Sequence, residues 1–197
     1  MTSTIETTEI KAAHTHYNVA SFITARFSPR AFSDKNISTE AMNTLFEAAS
    51  WAASANNEQP WVYYFAQKNT EGFENLWECL MPGNKPWGKN AAALVVAVAR
   101  KTFAANGNNN LAAVHDLGMA NAQLLLQARS MDIFGHPIGG FDKQKATELL
   151  QLDENQTPVC MFALGYLGDA ELLEEPFKSR ELTSRNRKSL EEFVHQI

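Results

Sequence analysis

A central sheet packed by helices, of the α+β or α/β class, is the fold that this sequence predicts. Three short apolar runs bounded by turn residues carry the prediction: "WVYYFAQ" at 61–67, "AALVVAVAR" at 92–100 and "PVCMFALGYL" at 158–167. Runs of this kind read as strands covered on both faces. Around and between them apolar residues recur at helical spacing, which places helices between the strands.

The elements follow in order. Ile10, Ala13, His14 and Tyr17 share one helical face and predict a helix across 10–17. Met42, Leu45, Phe46, Ala49 and Ala53 predict a second, with Ser38 as its N-cap and Glu40 in its first turn. Phe73, Leu76, Trp77 and Leu80 give a third amphipathic face. From Asn110 to about Met131 runs a long helix that is apolar or small on most sides, which predicts burial within the domain or between subunits. With 197 residues and no repeat or linker, the expectation is one domain spanning 1–197. Beyond Gly168 the chain becomes charged, and Leu190, Phe193, Val194 and Ile197 are its regular apolar positions. Residues 169–197 are therefore expected to form an arm lying against another surface.

Bulk properties exclude several functions. Seventeen Lys and Arg against 22 Asp and Glu give a net charge of −5, which argues against broad binding to nucleic acid or anionic membrane. The longest apolar run, residues 91–99, is too short to span a bilayer as a helix, and the polar N-terminus has no signal-peptide core. A cytoplasmic protein is expected. Cys79 and Cys160 have no CxxC partner and predict two free, buried thiols rather than a disulfide framework.

Common motifs fail on inspection. "GNKPWGKN" at 83–90 approaches a P-loop, but Asn90 replaces the Mg²⁺-binding hydroxyl and Pro86 removes a phosphate-cradling N–H. No G-x-G-x-x-G follows a strand, so a nicotinamide cofactor would not be held in the Rossmann manner. The five histidines show no metal-binding spacing, so no metal site is expected, and no serine occupies a G-x-S-x-G elbow.

Two constellations remain. Four of the seven arginines form close pairs, Arg26 with Arg30 in "RFSPR" and Arg185 with Arg187 in "RNRK". Arginine forks match phosphate bidentately, so pairs gathered from the two chain ends would form a phosphate clamp; solvated surface charge is the alternative. Pro29 biases Ser28 away from helix, leaving a hydroxyl and backbone N–H groups beside the arginines. In "FGHPIGGFD", 134–142, paired glycines would let backbone approach a flat ligand closely, or would simply turn the chain into a helix starting near Asp142.

Taken together, "RFSPRAF", "AASANNEQPW", "HPIGGFD", "ALGYLG" and "SRNRKSLEEFV" resemble the FMN-dependent nitroreductase family, in that family's order and spacing across residues 18–197. The resemblance implies an α+β three-layer sandwich with a mainly antiparallel central sheet wrapped by helices, assembled as an intimate homodimer whose FMN sites lie between the subunits. It implies that Arg26, Phe27 through its backbone, Ser28 and Arg30 hold phosphate and ribityl oxygens, with Arg185 and Arg187 completing the phosphate site. Ser54, Ala55 and Asn57 would meet the flavin of the other subunit. Pro137, Ile138, Gly139 and Gly140 would lie against the ring, with the Gly139 N–H near N5; Asn84 and Lys89 are candidates for its pyrimidine edge.

The implied reaction is ping-pong hydride transfer from NADH or NADPH to a nitroaromatic or quinone acceptor, with no assigned catalytic side chain. The alternatives are another small substrate, such as an enoyl compound or aldehyde, on the same fold, or flavin binding without turnover. The chain departs from the family where Ala53 replaces a common proline and Gly139 a common glutamate.

Overall fold

A computed structural model describes residues 4–197 of the chain. In chain order it contains α1 (Thr4–Ile10), α2 (Ser21–Ala25), α3 (Thr39–Ser50), β1 (Trp61–Gln67), α4 (Glu71–Glu78), α5 (Lys85–Gly88), β2 (Ala93–Arg100), α6 (Ala113–Ser130), β3 (Ile133–Ile138), α7 (Lys143–Leu149), β4 (Gln156–Tyr166) and α8 (Phe177–Glu181). The strands form one sheet in the order β1-β2-β4-β3, and every pairing is antiparallel. The class is therefore α+β.

β2 shows why three layers form. Ala93, Val95, Ala97 and Ala99 face a cluster built with Met42 and Leu45 of α3 and Leu117, Ala120 and Leu124 of α6. Leu94, Val96 and Val98 face the opposite cluster, with Phe73 and Leu76 of α4, Trp87 of α5 and Ala146 of α7. Successive strand residues point to opposite faces, so a strand apolar at every position needs cover on both sides. Alanines dominate the α3/α6 side, where their small size lets the helices pack closely.

The second, third and fourth helical faces form α3, α4 and α6. Ser38 caps α3 by accepting the Ala41 N–H, and Thr70 caps α4 by accepting that of Phe73. The long helix starts at Ala113 rather than Asn110, whose side chain instead accepts the Ala112 N–H. Asp142 caps α7 by accepting the Lys145 N–H, so the helix expected there is present. The near-P-loop segment folds as the short helix α5 ahead of β2.

The first expectation requires correction. The helix across 10–17 does not form; α1 ends at Ile10, and both His14 and Tyr17 are exposed. An amphipathic stripe is stabilised chiefly by whatever covers it, and here Ile10 and Ala13 are only half-buried while His14 and Tyr17 stay exposed.

β3 was not foreseen as a strand, because Gly135 and Pro137 punctuate it. Its position at the sheet edge tolerates a proline, which lacks a ladder N–H, and Gly135 admits Leu125 of α6 where a Cβ would collide. Cys79 is buried and Cys160 half-buried, and both are free thiols. Among the described residues no helix is long and apolar enough to cross a membrane.

Residues 31–33 run beside the end of β4, with the Ser33 N–H on Tyr166 O at 2.9 Å and the Gly168 N–H on Ala31 O at 2.9 Å. A Cβ on Gly168 would lie 2.5 Å from the Phe32 carbonyl carbon and 2.8 Å from Ser33 N. Gly168→Ala should therefore lower the unfolding free energy by about 1–3 kcal/mol in urea denaturation. Gly139→Ala, where a Cβ meets nothing within 4 Å, should change it by less than about 0.5 kcal/mol.

Candidate functional site

The segment "RFSPR" leaves α2 in extended backbone, with Arg26 at φ −74° and ψ 124°. Phe27 anchors it: the side chain is 2% exposed and its ring centroid lies 5.0 Å from that of Phe134 in β3. Pro29 ties the segment to the same strand, because its carbonyl accepts from His136 Nδ1 at 2.9 Å. Between these anchors Arg26 Nη1 donates to Ser28 Oγ at 3.3 Å. Among the described residues, no protein acceptor takes the N–H groups of Phe27 and Ser28.

The second arginine pair meets this loop from the far end of the chain. Arg185 donates from Nη1 to Arg26 O and from Nη2 to Thr24 O, both at 2.6 Å. Its Nε is buried without a hydrogen-bond partner. Burial, and then the Arg187 charge, lower the pKa of Arg26; burial, and then Arg26 and Arg187, lower that of Arg185. Among the described residues no carboxylate forms an ion pair with these three arginines. The result is a concentrated positive charge without a counterion, as an anion site requires.

Arg30 is near enough for its charge to act, with that of Arg26, on His136, and its contacts differ from those of the trio. Its N–H donates to both oxygens of Glu181 at 3.0 Å, and its guanidinium lies 5.7 Å from the centroid of the Trp87 ring. On Trp87 also rests His136, 4.5 Å between centroids.

The glycine turn that follows β3 is open and held from below. Gly139 and Gly140 are exposed, and among the described residues the Gly139 N–H has no protein acceptor. Asn84 Nδ2 and the Met81 N–H both donate to Gly140 O, at 2.9 and 3.1 Å, and the Asp142 N–H reaches Cys79 O at 2.7 Å. A Cβ on Gly140 would lie 2.9 Å from Asn84 Nδ2, so glycine is needed for that approach. Asn84 thus supports the turn. Lys89 instead lines a cavity of about 330 Å³ with Ala31, Phe32, Asp34, Asp169 and Phe177, which includes no residue of 137–140.

Ser54, Ala55 and Asn57 lie in a tight turn before β1. Asn56, Asn57 and Gln59 adopt positive φ of 54°, 56° and 52°, a region that carboxamides such as Asn tolerate better than most side chains. This explains the three carboxamides crowded ahead of Pro60. The Gln59 N–H donates to Ser54 Oγ at 3.1 Å, and Asp116, buried in α6, accepts the Ala55 N–H at 2.9 Å. β1 and β3 occupy opposite edges of the sheet, three strand spacings or about 14 Å apart. One protomer therefore brings Arg26, Phe27, Ser28, Pro137, Ile138, Gly139, Gly140, Arg185 and Arg187 to one side, and Ser54, Ala55 and Asn57 to the other.

Sequence reasoning missed three supporting groups, Asp116, His136 and Glu181. Asp116 had a visible signal, an isolated carboxylate within an apolar helix; Glu181 lies among basic residues in the charged C-terminal stretch, where nothing local marks it. Among the described residues no three His, Cys, Asp or Glu side chains gather to hold a metal ion.

Residues 23–86 and 80–166 match the family model described as "Nitroreductase family". The chain belongs to the nitroreductase family. An Archaeoglobus fulgidus relative named "Putative NADH dehydrogenase/NAD(P)H nitroreductase" is 30% identical over 151 residues, covering 75% of this chain and 84% of its own. A crystal structure of an "oxidoreductase containing FMN" superposes with a TM-score of 0.83 at 30% identity, over 88% of this nitroreductase-family chain and 89% of its own. An "FMN-dependent Nitroreductase" from Clostridium difficile R20291, at 22% identity and a TM-score of 0.65 over 75% and 87% of the two chains, shares the fold.

In this family member, burial depresses the His136 pKa from 6.5 to about 4, aided by the charges of Arg30 and Arg26 and opposed by the Pro29 and Ser28 backbone. The imidazole is neutral near pH 7, with Nδ1–H facing the Pro29 carbonyl. Because the folded value lies below the unfolded one, its contribution is complete above pH 6.5 and is lost as pH falls through about 4. Between these values wild type should lose about 3 kcal/mol more stability than His136→Gln, measured as urea-unfolding free energy against pH.

Proposed function

We propose that this chain is an FMN-dependent NAD(P)H oxidoreductase with the flavin held between two copies of the chain. The observation that carries the reading is the arginine cluster without a counterion, Arg26, Arg185 and Arg187, in which a buried Arg185 Nε lacks a partner. Beside it, the unpartnered N–H groups of Phe27 and Ser28 and the Ser28 hydroxyl suit phosphate and ribityl oxygens. The residues present therefore fit FMN.

Arg26, Arg187 and Ser28 would hold the phosphate end, with Arg30 at its border. Pro137, Ile138, Gly139 and Gly140 would support the ring, the Gly139 N–H directed toward N5, while Asn84 keeps that turn in place. Lys89, on a cavity that Ala31 and Trp87 also line, remains a candidate for the pyrimidine edge of the ring. Bound FMN would supply the redox chemistry, ping-pong hydride transfer from NADH or NADPH to a nitroaromatic or quinone acceptor. The protein's own work is to orient and to exclude water, and no side chain is assigned as acid or base. Gly139 leaves unfilled the space that a side chain would occupy over the turn, which suits flat acceptors of varied outline.

The distance between the sheet edges favours a composite site, in which the Ser54, Ala55 and Asn57 turn of one copy completes the site of the other. The C-terminal arm, residues 169–197, fits the same assembly. Its Leu190, Phe193, Val194 and Ile197 are exposed within the chain, a surface that a second copy would cover.

Purified protein should bind FMN as a dimer, and anaerobic NADH or NADPH should bleach the bound flavin. Menadione or a nitrofuran should then restore the colour. Arg26→Ala and Arg187→Ala should each weaken FMN binding by about 1–3 kcal/mol in fluorescence titration. A wild-type protein that takes up no FMN would overturn the reading. Flavin that binds but resists NAD(P)H would point to a carrier or sensor instead.

A further inference from the structure

We infer that Glu181, with Arg185 four residues later, forms a clasp that shapes the loop proposed to receive the phosphate end of FMN; the inference rests on the flavin reading above. Glu181 is 1% exposed, and no Lys or Arg nitrogen lies within ion-pairing distance among the described residues. Its partners are backbone. Oε1 and Oε2 each accept the Arg30 N–H at 3.0 Å, and Oε1 also faces the Ala31 N–H at 3.4 Å.

Burying an ionised carboxylate is unfavourable, so its retention here calls for a role. Burial raises its pKa, while these N–H groups and the charges of Lys11 and Arg30 oppose the rise. Arg185 completes the arrangement at the other end of the loop, where both terminal nitrogens are committed to the carbonyls of Thr24 and Arg26. One short C-terminal stretch therefore takes the acceptors of residues 24 and 26 and the donors of residues 30 and 31.

The residues between these two ends, Phe27 and Ser28, keep their N–H groups unpaired. A loop pinned at both ends and anchored through Phe27 and the Pro29 carbonyl, with the Phe27 and Ser28 N–H groups left unpaired among the described residues, is pre-organised to receive an anion. Lys11 extends the junction by donating from Nζ to Arg180 O and Thr183 O at 2.8 and 2.7 Å, which anchors the stretch carrying Glu181 to the N-terminal segment. Glu181 and Arg185 are accordingly positioning residues. They act on the ligand through the loop, and for Arg185 this role is added to the phosphate contact that the family resemblance implies, since its Nε has no protein partner among the described residues.

The test combines amide hydrogen exchange on the flavin-free protein with titration of FMN and of riboflavin, which lacks the phosphate. Glu181→Leu removes both acceptors at similar volume, and Glu181→Gln retains one. Exchange at Arg30 and Ala31 should accelerate, and the FMN Kd should rise by about tenfold or more in Glu181→Leu, less in Glu181→Gln. The riboflavin Kd should change by less than about threefold in both. Arg185→Lys, which keeps the charge but cannot span both carbonyls, should also weaken FMN.

Unchanged exchange, an FMN Kd within about twofold of wild type in both Glu181 variants, or equal losses for FMN and riboflavin would overturn the clasp. Wild-type FMN affinity in Arg185→Lys would overturn its Arg185 half. If Glu181→Leu fails to fold, Glu181→Gln decides alone. A wild-type protein that binds neither flavin would sink the flavin reading, and the exchange data would still decide whether Glu181 fixes the loop.

Discussion

Burial of β2 on both faces is the constraint from which the rest of this structure follows. A strand that reads "ALVVAVA" cannot leave either face in water, so α3 and α6 cover one side and α4, α5 and α7 the other. With β2 and β4 enclosed, β1 and β3 become the edges. Each of the two candidate half-sites is attached to one of those edges: the carboxamide turn enters β1, and the glycine turn leaves β3. The proposed composite site would thus follow from sheet order as much as from any residue at the site.

The electrostatics of the arginine loop obey a second constraint. Arg26, Arg185 and Arg187 lie together with no ion-paired carboxylate among the described residues, an arrangement that favours binding of an anion. The surroundings are adjusted to tolerate this. Carbonyls of Thr24 and Arg26 absorb the Arg185 fork, and His136, held neutral by burial, adds no further charge beside Arg30. Two buried carboxylates play matching parts at the two half-sites. Asp116 accepts the Ala55 N–H at one, and Glu181 accepts those of Arg30 and Ala31 at the other. In both cases a charge that would be costly if unbonded is used to fix backbone, while the side chains facing outward remain available.

Several elements were legible because their signals are local. The runs at 61–67, 92–100 and 158–167 match β1, β2 and β4 to within two residues at either end, and Ser38 and Asp142 cap the helices they precede. β3 was not legible, since Gly135 and Pro137 carry the marks of a turn and only an edge position and a close helix make them acceptable in a strand. The stripe from Ile10 to Tyr17 misled for the opposite reason: the pattern is present, but Ile10 and Ala13 are only half-buried and His14 and Tyr17 are exposed. Strand direction came from the family resemblance, which implied a mainly antiparallel sheet, and not from the apolar runs. An apolar run reports that both faces are covered, and it is the same whether the neighbours run parallel or antiparallel.

By itself the sequence determined what composition and spacing can encode: the strands and capped helices, the irregular loop imposed by Pro29, the gathering of basic residues at the two ends of the chain, and the resemblance to a flavin-using family. Tertiary structure decided how those residues are used. It committed both terminal nitrogens of Arg185 to the carbonyls of Thr24 and Arg26, gave Asn84 to the Gly140 carbonyl, placed Lys89 on a cavity that Ala31 and Trp87 also line, and revealed Asp116 and Glu181 as supports. The physical reason is that a side chain's partners are set by groups distant in sequence. Glu181 lies 151 residues from the Arg30 N–H it accepts, and no local pattern encodes a contact at that separation.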